Sequence, residues 1–471
     1  MLFHTATFAI FLASLLILLS LLRGRWLWGL LMLASYVFYG WAQPQYLFLI
    51  FATSIVDYWV SNWFVHRPHL RRAGIVVSAL GNFGVLAYFK YANFFIENFQ
   101  SALLAVGIHA DPVVLKIVLP IGISFHTFQS FSYIVDVLQG KFPPCKSPVL
   151  FLLYVSYFPQ LVAGPIERAH QLLPQLERIP QMKAGMAGRV PEAALLFAEG
   201  WLRKAFADWM ALSANAFFGQ TPANAGGAEA AYGIIAFGFQ IYGDFSGYTR
   251  MAQGISWLFG VRLMENFNAP YAAVSFRDFW TRWHISLSRW FRDYLYIPLG
   301  GNHKGRFRGY VNLMITMVVS GLWHGAAWTF LLWGGIHGVF MAVERFGRDL
   351  GLRLPNAFSR PVVVILAFLA WVPFRAPSLN ATIASYLALG HPGWNWPPLN
   401  LVLAFIGLVG CDLLAIRRSA GIERDASALS VEVSNDTVWR AAALVSLCFL
   451  TLWFGTMLGH RAATTFIYFQ F

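Results

Sequence analysis

The chain has 471 residues, 58% of them hydrophobic and only 12% charged, with a mean hydropathy of +0.56. A soluble domain carries about twice that charge, so these apolar runs need lipid. The net charge of +13 does not make a nucleic-acid binder, because no basic domain separates from the apolar runs and the arginines sit in the short links between them, where they read as topology signals and headgroup contacts. Cys145, Cys411 and Cys448 are scattered without CxxC or metal-type spacing, which suggests neither a disulfide framework nor a metal site.

The first apolar run, near 5–22, has no Lys or Arg ahead of it and no small-residue cleavage pattern after it, so it reads as an uncleaved span and not as a signal peptide. At about 20 apolar residues per crossing, further spans are expected near 26–41, 46–65 and 73–89, then crossings or half-crossings near 113–138, 149–164, 192–219 and 228–260. The runs near 309–347, 361–389, 399–416 and 437–458 bring the expected total to about 10–13 membrane helices, with interfacial or re-entrant helices besides. The polar links 165–191 and 417–436 are of linker length, and no soluble domain fits between the spans. The expected fold class is therefore all-α, a polytopic integral membrane protein with one membrane-embedded domain over 1–471: N-terminal helices to 164, a core over 165–348 and C-terminal helices from 349.

Arg23 and Arg25 follow the first span, Arg67, Arg71 and Arg72 follow the third, and Arg417, Arg418 and Arg424 lie in the last polar link. By the positive-inside bias both termini are expected outside the cytoplasm. Asp57, Asp136, Asp244 and Glu344 fall in or at the ends of apolar runs, where an ionisable group is costly. Each is either paired with one of the arginines or functional, with pairing the plainer expectation for Asp57 and Asp136.

The pattern changes at residue 275. Ser275-Phe-Arg-Asp278 is a capping-box-like helix start, after which Phe279, Trp283, Leu287, Trp290 and Tyr294 recur at helical spacing while Arg282, Arg289 and Arg292 lie off that stripe. This predicts one amphipathic helix to Pro298, lying in the interface with its aromatic side toward acyl chains. Lys304, Arg306 and Arg308 then form a basic cytoplasmic turn before the chain returns to the membrane at Tyr310. On residues alone His284 reads as an interfacial histidine bonding a headgroup or a carbonyl. His324, set between Trp323 and Gly325 after an apolar run, needs a partner or a water-filled cavity at membrane depth, and residue type does not separate a catalytic from a structural role. His337, 13 residues on, would face another way on a continuous helix and is the weaker candidate. A histidine suits acyl transfer because near neutral pH it can take a proton from a hydroxyl and return it to a thiolate. There is no GxSxG elbow, which argues against a self-contained serine hydrolase.

Seven blocks occur in order: Phe158-Pro-Gln-Leu-Val-Ala-Gly-Pro165, Asp244-Phe-Ser-Gly-Tyr248, Glu265-Asn-Phe-Asn268, Asp278-Phe-Trp-Thr-Arg-Trp-His-Ile-Ser-Leu-Ser288, Trp290-Phe-Arg-Asp293, Tyr296-Ile-Pro-Leu-Gly-Gly301 and Ser320-Gly-Leu-Trp-His-Gly325. Together with Ile123-Ser-Phe-His-Thr-Phe-Gln-Ser-Phe-Ser-Tyr133 they make the chain resemble the membrane-bound O-acyltransferase (MBOAT) family, nearest its bacterial branch of alginate O-acetylation components and teichoic acid D-alanyl transferases. The resemblance implies a ring of helices around a central funnel, with donor and acceptor reached from opposite membrane faces. It implies that His324 is the histidine required for transfer and that His284, where eukaryotic members often carry asparagine and bacterial polysaccharide-acetylating relatives histidine, is an accessory catalytic or positioning residue.

It further implies an acyl thioester donor, acetyl-CoA, on the cytoplasmic side and no bound cofactor or metal. Arg282, Arg289, Arg292, Lys304 and Arg306 are then available to neutralise the donor's phosphates, and Trp283, Trp323, Gly325 and Asp244 to support the tunnel. The acceptor would be an exported polysaccharide such as alginate or cellulose, reached through a periplasmic esterase-like partner and a polysaccharide synthesis and export complex in the bacterial inner membrane. D-alanyl or other acyl transfer to an envelope polymer is the alternative within the class. A transporter without covalent chemistry, or a structural subunit of the export complex, is the alternative outside it, although no inverted repeat is legible. The aromatic terminus 464–471 is expected to dock a partner or anchor in the interface.

Overall fold

The computed structural model describes residues 1–425 except 42, 110–112, 116, 163, 183–185, 222–223, 353 and 394, and side chains to 413 apart from Met182. The span expected near 437–458 and the aromatic terminus lie outside the described residues. Among the described residues every regular element is helical. The chain divides into two compact units, Met1–Ala187 with Ser256–Leu263 and Gly188–Ile255 with the chain from Met264 onward.

The first unit holds α1 (Ala6–Leu21), α2 (Trp26–Gly40), α3 (Leu47–Phe64), α4 (Arg71–Leu86), α5 (Ala92–Ala105), α6 (Ile123–Leu138), α7 (Pro148–Ser156), α8 (Phe158–Leu161) and α9 (Ala169–Met182). Thr5 and Ser147 cap α1 and α7 by accepting the Phe8 and Leu150 N–H groups. The expected span near 73–89 continues through a π-helical turn at Ala87–Tyr91 into α5, so that the helical segment Pro68–Ala105 is 38 residues long. At 1.5 Å per residue that is about 57 Å, more than one crossing requires. The link expected at 165–191 contains α9, whose register is tied down by Trp28 Nε1 donating to the Leu176 carbonyl at 3.0 Å.

Among the described residues Asp57 has hydroxyl and amide partners and no arginine beside it. It is fully buried on α3 and accepts hydrogen bonds from Ser78 (2.7 Å) and Asn82 (2.7 Å) of α4 and from Ser130 of α6. Three donors from two neighbouring helices satisfy the carboxylate and pin the three-helix contact. Removing it strands those donors in a dry interior, so Asp57→Ala is expected to destabilise by about 3 kcal/mol, read as an earlier unfolding midpoint in detergent. Asp136, at the end of α6, has Lys141, a lysine outside the apolar run, at 4.0 Å.

The second unit holds α10 (Met186–Phe218), α11 (Gly227–Leu258), α12 (Phe276–Arg282), α13 (Ile285–Phe291), α14 (Arg306–His324), α15 (Trp328–Asp349), α16 (Asn356–Arg375), α17 (Leu379–Ala388) and α18 (Leu399–Asp425). The runs 309–347 and 361–389 are each a pair of helices, whereas 228–260 is the single helix α11. α10 and α11 touch backbone to backbone: a Cβ on Gly200 would lie 2.4 Å from the Gly247 carbonyl oxygen, and one on Gly247 2.6 Å from that of Gly200.

Beside this contact runs a buried charge network. Arg203 pairs with Glu199 (3.2 Å) and Asp412 (2.7 Å), Arg250 with Glu199 (3.3 Å) and Glu265 (2.7 Å), and Lys204 with Asp208 (2.5 Å) and Asp244 (3.1 Å). The two i,i+4 pairs on α10, Glu199 with Arg203 and Lys204 with Asp208, were a legible signal for it. The cross-helix partners were not.

Among the described residues three helical segments are long and apolar enough to cross a membrane by length and composition: Pro44–Phe64, Pro68–Ala105 and Asn356–Arg375. Ala6–Leu21, Trp26–Gly40, Pro148–Leu161 and Leu399–Leu413 are apolar but shorter. Their outer faces present large apolar side chains, among them Ile10, Ile17, Phe48, Leu80 and Ile365, all more than half exposed. Exposed apolar side chains of this kind on membrane helices have lipid as their solvent.

Candidate active site

Ser275 caps α12 as its sequence predicts, its Oγ accepting the Asp278 N–H at 2.9 Å, while Asp278 accepts the Val274 N–H (3.1 Å) and pairs with Arg282 (2.8 Å). Glu344 of α15 explains its own place in an apolar run here. Its carboxylate accepts the Phe276 (2.5 Å) and Arg277 (3.3 Å) backbone N–H groups, complementing the positive end of α12.

The single interfacial helix expected over 275–298 does not form. α12 stops at Arg282, and His284 takes a left-handed conformation (φ 41°, ψ 56°) before α13 begins. A non-glycine residue there is strained and needs support from its surroundings. The segment 265–268 supplies it: the Asn268 N–H donates to the Arg282 carbonyl (3.0 Å), the Ile285 N–H to the Asn266 carbonyl (2.9 Å) and the Ser286 N–H to Asn266 Oδ1 (3.3 Å). The aromatic stripe also faces the other way from the one expected. Phe279, Trp283, Leu287 and Trp290 are buried in the protein, where Trp283 meets Trp371 at 4.8 Å and Phe267 at 5.2 Å between ring centroids. The period was right and the solvent was wrong, because protein aromatics outcompete acyl chains for that face.

His324 is the last residue of α14, with Gly325 at its cap. The turn to α15 makes a tight hairpin: a Cβ on Gly321 would lie 2.2 Å from the Phe330 carbonyl oxygen, one on Gly334 2.3 Å from that of Met317, and one on Gly325 2.0 Å from the Phe330 ring. Gly321→Val is therefore expected to force the hairpin apart and displace His324, costing activity and about 2 kcal/mol of stability, measured as transfer rate and thermal midpoint in detergent.

The break and the hairpin bring His284 and His324, 40 positions apart, to 6.4 Å between ring centroids. His284 is fully buried against Phe245 (4.7 Å) and Trp323 (6.0 Å), and His324 lies among Trp323 (4.9 Å), Trp333 (5.0 Å) and Phe374 (5.3 Å). Two imidazoles inside an aromatic enclosure can pass a proton between a nucleophile and a leaving group while bulk water stays out.

The remaining site candidates fall elsewhere. Asp244 is engaged with Lys204 in the buried charge network. Arg282 is half buried, tied to Asp278 and to the Asn268 carbonyl, whereas Arg289, Arg292, Lys304 and Arg306 are exposed, Arg292 beside Asp293 at 2.8 Å. Arg306 opens α14 and His324 closes it, so about 27 Å of helix separates them at 1.5 Å per residue. Arg282 and Arg289, on the two short helices flanking His284, are the nearer in chain to the histidine pair. No set of three His, Cys, Asp or Glu side chains with metal-ligand spacing occurs among the described residues.

His337 lies on α15. The helix breaks after His324, so the two histidines are not on one continuous helix; both abut Trp333, each 5.0 Å from it between centroids.

The sequence model of the membrane-bound O-acyltransferase family matches residues 145–372, which span the histidine pair, the break and the hairpin. The chain is 35% identical over 466 residues to the probable alginate O-acetylase AlgI of Pseudomonas putida, covering 94% of each chain. The chain belongs to the MBOAT family. It is also 38% identical over 403 residues to the probable alginate O-acetylase AlgI of Pseudomonas aeruginosa (80% of this chain, 76% of the relative) and 33% identical over 385 residues to the peptidoglycan O-acetyltransferase of Helicobacter pylori (75% and 72%). This MBOAT chain is therefore an O-acyltransferase of the membrane, as the ordered blocks led one to expect.

Proposed function

We propose that this chain moves an acetyl group from cytoplasmic acetyl-CoA across the bacterial inner membrane for O-acetylation of an exported polysaccharide, relayed through a periplasmic partner. The single observation that carries the mechanism is the His284–His324 pair, 6.4 Å between centroids, inside an enclosure of tryptophan and phenylalanine. His324 takes the proton of the attacking hydroxyl, or receives the acyl group in transit, and returns the proton to the departing thiolate. His284 holds or shares that proton. The aromatic walls keep water from hydrolysing the thioester. Arg282 and Arg289 are the first candidates for the donor's phosphates, with Arg292, Lys304 and Arg306 at greater reach.

The names of the relatives favour alginate or peptidoglycan as models of the acceptor, and the family's ring of helices around a funnel, with both termini outside the cytoplasm, is the arrangement in which donor and acceptor meet at His324. The test is transfer of label from radioactive acetyl-CoA, in membranes containing the chain, to exported polysaccharide or to a co-expressed periplasmic partner. Labelled product dependent on His324 supports the reading. Uptake of label without covalent product points instead to transport.

A further inference from the structure

Next to His324, on the far side of Trp333, lies a second group of buried polar rings. Trp280 of α12 and Trp333 and His337 of α15 stand 5.8 Å (Trp280–Trp333), 5.2 Å (Trp280–His337) and 5.0 Å (Trp333–His337) apart between centroids. All three side chains are more than nine-tenths buried, His337 and Trp333 completely. The indole N–H groups of Trp280 and Trp333 and both ring nitrogens of His337 are buried and have no hydrogen-bond partner among the described residues. The ring faces are accounted for: Phe279 stacks on His337 at 5.9 Å and Trp371 on Trp333 at 5.7 Å. The nitrogens are not.

An indole N–H stranded in an apolar interior costs about 1–3 kcal/mol, and tyrosine- or phenylalanine-like packing could have filled the same space without that cost. Two indole donors and an imidazole, which carries at least one N–H more, offer three donors and at most one acceptor. A site so rich in donors suits an oxygen that bears, or develops, negative charge.

We propose that Trp280, Trp333 and His337 bind the carbonyl oxygen of the acyl thioester and stabilise the oxyanion formed during transfer. The proposal rests on the acyl-transfer reading and adds to it the residues that hold the reacting oxygen. As the acceptor hydroxyl oxygen, or a nitrogen of His324, bonds to the carbonyl carbon, the C=O π pair moves onto the oxygen. Collapse of this intermediate re-forms C=O, breaks the C–S bond and releases the thiolate, which takes up the proton that left the attacking group. Donors fixed in a dry enclosure act on the charge only while it exists, and this raises kcat more than it lowers KM. The shared wall, Trp333, puts this group beside His324.

Trp280→Phe and Trp333→Phe keep an aromatic ring and delete only the N–H and part of the bicycle; His337→Asn keeps an N–H donor and His337→Leu removes it. Each is made in the full chain, checked for folding by size-exclusion chromatography and thermal midpoint, and assayed with acetyl-CoA. The expected result is a kcat loss of about 100-fold in either Trp→Phe variant and in His337→Leu, KM for acetyl-CoA moving by less than about 3-fold, and partial recovery in His337→Asn. A second measurement uses two inert analogues: the ketone in which CH2 replaces the thioester sulfur, and S-ethyl-CoA, in which CH2 replaces the carbonyl. The wild-type chain is expected to bind the ketone about 10-fold more tightly, and that preference to collapse in the Trp→Phe variants. Wild-type kcat together with an undiminished ketone preference in folded Trp280→Phe and Trp333→Phe chains overturns the proposal, leaves the acyl-transfer reading intact and assigns the nitrogens to interior water. A wild-type chain that neither binds the ketone nor transfers acetyl overturns both.

Discussion

Replacing His324 by alanine is expected to lower acetyl transfer by about 1000-fold while the protein still folds and inserts, because the lost group is the proton carrier of the reaction. Its surroundings make the folding part of this expectation reasonable: His324 ends α14, so no helical turn beyond it depends on its side chain, and the hairpin to α15 is held by the Gly321 and Gly334 contacts. Label transferred from acetyl-CoA and gel-filtration behaviour in detergent are the two readouts. A well-folded His324→Ala chain with wild-type transfer would remove His324 from the mechanism. His284→Ala is expected to lose less, about 10- to 100-fold, since its ring assists a proton that His324 carries. Its left-handed backbone is held by hydrogen bonds to Asn266 and Asn268, which the substitution leaves in place, so the break should survive the change.

The largest stability effect is expected at Glu199. This carboxylate lies between two arginines, Arg203 at 3.2 Å and Arg250 at 3.3 Å, and its side chain is only 5% exposed. Glu199→Ala leaves two guanidiniums short of a counter-charge in a dry interior, where breaking a buried pair costs about 3–5 kcal/mol. Thermal inactivation in detergent is the measurement, read as a half-life because unfolding of membrane proteins is seldom reversible. Glu199→Gln, which keeps an acceptor and loses the charge, should fall in between. Removing Lys204 and Asp244 together by a simultaneous Lys204→Met and Asp244→Leu exchange should cost less than Asp244→Ala alone, which takes one carboxylate from a buried lysine. Equal effects of the double and single changes would show that the charges are satisfied by water.

Much of the local structure was legible. The cap at Ser275, the period of the aromatic stripe and the ends of α1, α2 and α3 follow from short-range rules, since each depends on residues a few positions apart. Glu344 and Asp57 were recognised as needing partners, but not which ones, because an ammonium, a hydroxyl and a helix N-terminus all satisfy a carboxylate. The expectation of one interfacial helix over 275–298 failed for a related reason. The residues that interrupt it at His284 are Asn266 and Asn268, which lie on another segment and act through their backbones and the Asn266 side chain. A backbone carbonyl leaves no mark in the composition of the helix it stops.

What the sequence determined by itself is the solvent and the lineage: an apolar, charge-poor chain must form helices that satisfy their own hydrogen bonds in lipid, and its ordered blocks carry the family with them. What only the tertiary structure decided is which side chains meet. His284 and His324 come together through a strained turn and a glycine-tight hairpin, and Trp280, Trp333 and His337 gather beside them. Contacts between residues so far apart in the chain are set by how the helices pack, and the periodicity of any one helix holds no record of its neighbours.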